Sequence, residues 1–145
     1  LSNGQTNQVV DDILVLEHFT NASCGPCAAQ NPAMEAIMNA NGTKATSLKY
    51  HVSWPGVDPM YSFNTTDPMA RVNFYNISGV PAVRLSTQPN MAPSQITQSA
   101  INDWYNTMSP AFRYNIQSQI VGDSLFISGQ VIRFRPINAT DLRLH

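Results

Sequence analysis

Four apolar residues in succession, Ile13, Leu14, Val15 and Leu16, open the first strongly patterned stretch of the chain. An unbroken apolar run of that length suits a strand covered on both faces in a parallel or mixed sheet, and the pattern predicts it over residues 13–20. The polar turn Asn21, Ala22, Ser23 ends it. Residues 24–41 then place Met34, Ile37 and Met38 at helical spacing and close on Asn41-Gly42, a good helix stop. The order is strand, short turn, helix.

Residues 45–53 alternate, with Ser47, Lys49, His51 and Ser53 on a polar face and Thr46, Leu48, Tyr50 and Val52 on an apolar one, which predicts a second strand. Residues 54–66 form a long aromatic-bearing loop. Asp67-Pro68 offers a cap and a first-turn proline for a helix to about Tyr75. A strand is expected over 82–86 and, after Pro89 and Pro93, a helix over 94–108 with Ile96, Ala100, Ile101, Trp104 and Met108 on one stripe. From Ala111 the period becomes two. Residues 112–121 and 124–134, joined by Gly122-Asp123, read as a β-hairpin, and the tail 141–145 starts a further alternating run. Residues 1–10 carry no period and read as an arm. The expected domains are thus the arm 1–10, an α/β domain over 11–110 and the hairpin segment 111–145, taken as the start of an all-β domain.

The chain has 145 residues, enough for one good core. Its eight Lys and Arg are scattered, and the net charge is −1, which argues against a nucleic-acid partner. No stretch approaches the roughly 18 to 20 apolar residues of a membrane-spanning helix. Lys occurs twice and Asn, Gln, Ser and Thr abound, a composition that leans towards an exported protein. Asn-x-Ser/Thr sequons start at Asn21, Asn41, Asn64, Asn76 and Asn138, but a polar-rich surface without glycan explains them as well.

Distinctive chemistry is confined to Cys24-Gly25-Pro26-Cys27, which holds both cysteines of the chain at the strand-to-helix turn. A thiolate at a helix N-terminus is stabilised by unpaired amides and the positive end of the helix dipole, which makes it nucleophilic near neutral pH. Pro26 suits a first turn. Two intervening residues bring Cys27 within reach of a mixed disulfide on Cys24, so Cys24 is the attacking thiol and Cys27 the resolving one. Zinc would need more ligands than the pair and the scattered His18, His51 and His145 supply, and c-type haem needs a histidine where Ala28 stands. A structural disulfide would close too small a loop to stabilise much. A redox-inert pair remains the alternative. No cofactor beyond the cysteine pair itself is expected.

Cys24-Gly25-Pro26-Cys27 after an apolar strand resembles the active site of the thioredoxin superfamily. Pro32 falls where thioredoxins carry the proline that kinks the active-site helix, and Gly79-Val80-Pro81 is similar to the family's cis-proline loop. The element order agrees over residues 9–108. The resemblance implies a three-layer fold, a mixed sheet with helices on both faces, here followed by a C-terminal β-hairpin. It implies thiol-disulfide exchange with protein thiols or disulfides, a separate electron donor or acceptor protein, and a substrate-binding surface drawn from Val80, Pro81, Gly25, Pro26 and Trp54.

Departures from the family pattern are also present. Ser23 stands where thioredoxins commonly carry Trp, and His18, with Glu17 beside it, replaces the buried Asp credited with moving the resolving thiol's proton. Alternation along the strand sends Glu17 and His18 to opposite faces, and by position His18 is the candidate proton relay. The long 54–66 segment and the appended β-strands make the chain most similar to the thioredoxin-like domain of Omp28-related outer-membrane or surface proteins of Bacteroidetes. That likeness implies an extracytoplasmic location. The Gly-Pro pair between the cysteines resembles reducing members, and the alternative function is a surface binding module carrying a locked disulfide.

Overall fold

A computed structural model describes residues 12–85, 88–133 and 135–138. The chain divides into two compact units, one spanning Asp11–Thr107 and one that carries the C-terminal hairpin. In the first, β1 (Leu14–Thr20) lies between β2 (Ala45–His51) and β3 (Ala82–Leu85). β1 runs parallel to β2 and antiparallel to β3, so the central position goes to the strand with the apolar run. Leu16, His18 and Phe19 are fully buried there.

Helices cover both faces of β1, as its side chains show. His18 and Thr20 meet Asn31 of α1 (Gly25–Ala40). Glu17, pointing the other way, is bound by Arg71 and Tyr75 of α3 (Thr66–Tyr75). On that second face Phe19 forms a core with Val52, Val72, Ile77 and Ala82, and its ring stacks on Tyr50 at 5.3 Å. The mixed α/β unit with helices on both faces of its sheet, followed by a C-terminal hairpin, is the architecture expected from the sequence.

Several local expectations are corrected. β2 has no clean apolar face: Leu48 is 52% exposed, since β2 is an edge strand of the sheet. The long loop contains a short helix, α2 (Pro59–Phe63), capped by Asp58. α3 starts at Thr66, one residue before the expected cap, which puts Asp67 and Pro68 inside the first turn. Proline is tolerated there because the early amides of a helix have no intrahelical partner. Asn64 takes over the capping work, its Oδ1 accepting from the Asp67 amide at 3.2 Å and its Nδ2 donating to Asp67 Oδ2 at 2.8 Å. The expected helix over 94–108 is broken into a 3-10 turn, Pro93–Gln95, and α4 (Gln98–Thr107). Thr97 accounts for the break, because its hydroxyl accepts the Ala100 amide at 3.2 Å as a cap. Trp104, expected in the core, is only half-buried, while Ile101 is fully buried.

The hairpin pairs β4 (Phe112–Val121) with β5 (Ser124–Arg133) in unbroken antiparallel register from Phe112↔Arg133 to Val121↔Ser124. Gly122 takes φ +60° at the first central position of the two-residue turn, the conformation for which glycine is favoured. The arm 1–10, Ser86, Phe134 and the tail 141–145 lie outside the described residues. Among the described residues no helix is long and apolar enough to cross a membrane.

Candidate functional site

Cys24 occupies the N-cap of α1 in an extended conformation, and its Sγ accepts the Cys27 amide at 3.1 Å. The two sulfurs are joined in a disulfide, with the Cα atoms 5.2 Å apart. Local sequence explains the placement. The Cys24 amide bonds to the Asn21 carbonyl at 3.1 Å, closing the turn that ends β1, and Pro26 in the first turn sacrifices no intrahelical hydrogen bond. Pro32 sits inside α1 and removes the amide that would otherwise bond the Ala28 carbonyl.

The turn before Cys24 is fastened to the segment after β2. Asn21 is buried, and its Nδ2 donates to the Val52 and Gly56 carbonyls at 2.8 and 3.0 Å while its Oδ1 accepts the Ser23 amide at 2.8 Å. A nitrogen engaged in this way leaves no room for a glycan, so the sequon at Asn21 has a structural use. Ser23 Oγ donates to the Val57 carbonyl at 2.5 Å, and the Ala22 amide donates to Asp58 Oδ2 at 2.8 Å.

Cys24 and Cys27 are 3% and 2% exposed, and both line a shallow, open pocket of about 280 Å³. Asn31, Glu35, Lys49 and His51 contribute to its lining. Strand register explains the last two, because Lys49 pairs with His18 and His51 with Thr20, on the face that α1 covers. Lys49 and Glu35 form an ion pair at the outer side of this wall.

His18 is fully buried on the same face, with Nε2 3.1 Å from Asn31 Oδ1, and its Nδ1 has no hydrogen-bond partner among the described residues. Burial, aided by the charge of Lys49, pulls its pKa down to about 4. Glu17 lies on the opposite face, away from α1. Burial alone would raise its pKa, but hydrogen bonds from Arg71 and Tyr75 and the Arg71 charge hold it below the ordinary glutamate value. Tyr75 is pushed up to about 12 by burial and by that carboxylate.

Of the other residues singled out by sequence, Gly25 and Pro26 are exposed beside the sulfurs. The Val80–Pro81 peptide is cis, and the Val80 carbonyl oxygen lies 3.7 Å from Cys24 Sγ. Trp54, like Val80, is partly buried against the core around Phe19, and the exposed apolar side chains of its segment are Val57, Met60 and Phe63. Sequence reasoning did not assign a role to Asn21, Lys49, His51 or Asp58. The alternation of Lys49 with His51 was visible; the face they occupy depends on pairing with β1.

No family model matches the chain, and no curated protein matches it. Among solved structures it is similar to protein AGR_C_4864 from Agrobacterium tumefaciens, with a TM-score of 0.54 and 18% identity over 81% of this chain. The chain spans 56% of the length of that protein. It is also similar to the germline-specific thioredoxin Deadhead of Drosophila melanogaster, with a TM-score of 0.42 and 16% identity, covering 68% of this chain and 85% of the other.

Proposed function

We propose that the chain is a thiol-disulfide oxidoreductase of protein substrates, working as a reductase. The observation that carries this reading is the hydrogen bond from the Cys27 amide to Cys24 Sγ at the start of α1. An amide and a helix dipole aimed at one sulfur favour its thiolate over its thiol, which raises the fraction ready to attack near neutral pH, while the reducing direction is read from the Gly25-Pro26 pair between the cysteines, which resembles reducing members of the superfamily. Cys24 attacks a substrate disulfide, Cys27 resolves the mixed disulfide, and the backbone at Val80 and Pro81 holds the substrate chain in extended form beside the sulfurs. Gly25 and Pro26, exposed at the rim, contact the same chain. A separate protein dithiol returns the electrons. The low-lysine, Asn- and Ser-rich composition supports an extracytoplasmic setting, and the hairpin supports membership in a longer surface protein of the Omp28-related kind.

The burial of both sulfurs favours a second reading, a binding module with a locked disulfide. Insulin-disulfide reduction separates the two. Wild type is expected to turn over and Cys24→Ser to be inactive, with Cys27→Ser accumulating mixed disulfides with protein substrates. A wild-type protein whose disulfide stays oxidised in excess dithiothreitol and that never turns over is the binding module.

A further inference from the structure

We infer that His51, held in orientation by Asp58, is the group that exchanges a proton with the thiols of the site, and that His18 is not. The inference rests on the oxidoreductase reading above. His51 lines the same pocket as Cys24 and Cys27, on the strand position paired with Thr20. Its Nδ1 lies 2.7 Å from Asp58 Oδ2.

The Asp58 side chain is wholly shielded from solvent, and backbone donors claim its oxygens: Oδ1 accepts the Met60 and Tyr61 amides at 2.8 and 3.1 Å, and Oδ2 accepts the Ala22 amide at 2.8 Å. Burial pushes the Asp58 pKa up, but the bonds from His51 and the amides of Ala22 and Tyr61 leave it below the ordinary aspartate value. A carboxylate in that state has only acceptors to offer, so the proton between the two residues sits on His51 Nδ1. Nε2 is then the ring atom left to take up or release a proton, and Asp58 is a positioning residue. One carboxylate therefore fixes both the imidazole and the amide two residues before Cys24.

His18 has the opposite surroundings. It is sealed from solvent, its Nε2 is occupied by Asn31, and the positive charge of Lys49 opposes a second proton on its ring. The ionisable groups around His51 are Asp58 from the cap of α2, Lys49 from β2, Glu35 from α1, His18 from β1, and the two cysteines.

The step balances as follows. Cys24 thiolate attacks the substrate disulfide, forming a mixed disulfide and expelling one substrate thiolate. His51 Nε2 takes the proton of the Cys27 thiol; the Cys27 thiolate attacks the Cys24 sulfur, closing the Cys24–Cys27 disulfide and expelling the second substrate sulfur. His51 returns its proton to that sulfur. Two electrons pass from the dithiol to the substrate.

The test is single-turnover reduction of a disulfide peptide by the prereduced full chain, following mixed-disulfide decay from pH 5 to 9. His51→Asn is expected to slow decay by about a hundredfold at pH 7 and to remove the acid limb of its pH profile. Added imidazole is expected to restore part of the rate, which a purely structural loss would not allow. Alkylation of Cys24 by iodoacetamide and the melting temperature are expected to stay near wild type. His51→Gln serves if the Asn variant does not fold. Wild-type decay rates and pH profile in both variants, with slowing in His18→Asn instead, would overturn the inference and leave the oxidoreductase reading standing. A wild type that forms no mixed disulfide overturns both.

Discussion

His18 Nε2 lies 3.1 Å from Asn31 Oδ1, and because Asn31 Nδ2 is already donated to Thr20 Oγ1 at 2.9 Å, the imidazole is the donor in that bond. His18 is thus the neutral Nε2–H tautomer, with a bare Nδ1 lone pair buried in the protein.

That arrangement sets a pH dependence of stability. An unfolded histidine takes its proton near pH 6.5, whereas His18 in the fold takes it only near about 4. Between these values the unfolded chain binds more protons, so stability falls as pH is lowered from 6.5 towards 4, by at most about 1.4 kcal/mol per pH unit. Urea denaturation across that range is expected to show the slope in wild type and a flatter line in His18→Asn.

Glu17 and Arg71 form the corresponding polar contact on the other face of β1, with Arg71 Nε donating to Glu17 Oε2 at 2.7 Å. Arg71→Met strands the carboxylate with only tyrosine partners and is expected to destabilise the fold by about 3 kcal/mol at pH 7. Glu17 has its pKa lowered in the fold, so its stabilising contribution is present above the unfolded value of about 4.5 and is lost as pH falls through the folded value. The wild-type advantage over the variant therefore narrows on acidification, a trend that denaturation at pH 7 and at pH 3.5 will measure.

Gly56 lies against the turn before Cys24. A Cβ at this position would sit 2.8 Å from Ser23 Cβ, too close without a shift of one backbone. Gly56→Ala is expected to destabilise by about 1 to 3 kcal/mol and to slow disulfide reduction, although it leaves every reacting atom in place. Adding Ser23→Gly removes the clashing atom and should recover much of both losses, giving a favourable coupling in the double-mutant cycle.

The division between Thr107 and the hairpin also has a readout. Limited proteolysis of the full chain is expected to cut first within residues 108–111 and to leave a fragment with both cysteines. Mass spectrometry of the early products tests this; first cleavage inside β1 or α1 would contradict it.

Much of the site was legible in the sequence because its determinants are local. The apolar run Ile13 to Leu16 marks the central strand, although only Leu14 and Leu16 of it are buried while Ile13 and Val15 stay exposed; Cys24 and Pro26 dictate how the next helix begins, and Gly122 dictates a tight turn, each through contacts within a few residues. The start of α3 was misplaced by two residues, Thr66 in place of Pro68, because Asn64, whose side chain accepts the Asp67 amide, competed with Asp67 for the capping role, a contest between nearly equal local options.

What sequence alone determined is therefore the order of the main strands and helices, the cysteine pair and its position at a helix start. What only the tertiary structure decided is which polar groups meet that pair. His51 comes to line the pocket of the cysteines through the β1–β2 register, and Asp58 meets His51 and the Ala22 amide beside a turn stitched by Asn21, contacts that span some thirty residues of chain. Strand alternation states that Glu17 and His18 point apart, but α1 and α3 had to pack before either face acquired its chemistry. The physical reason is that helix and turn signals are short-range, whereas charge, burial and proton affinity at a site are set by whatever the fold brings beside it.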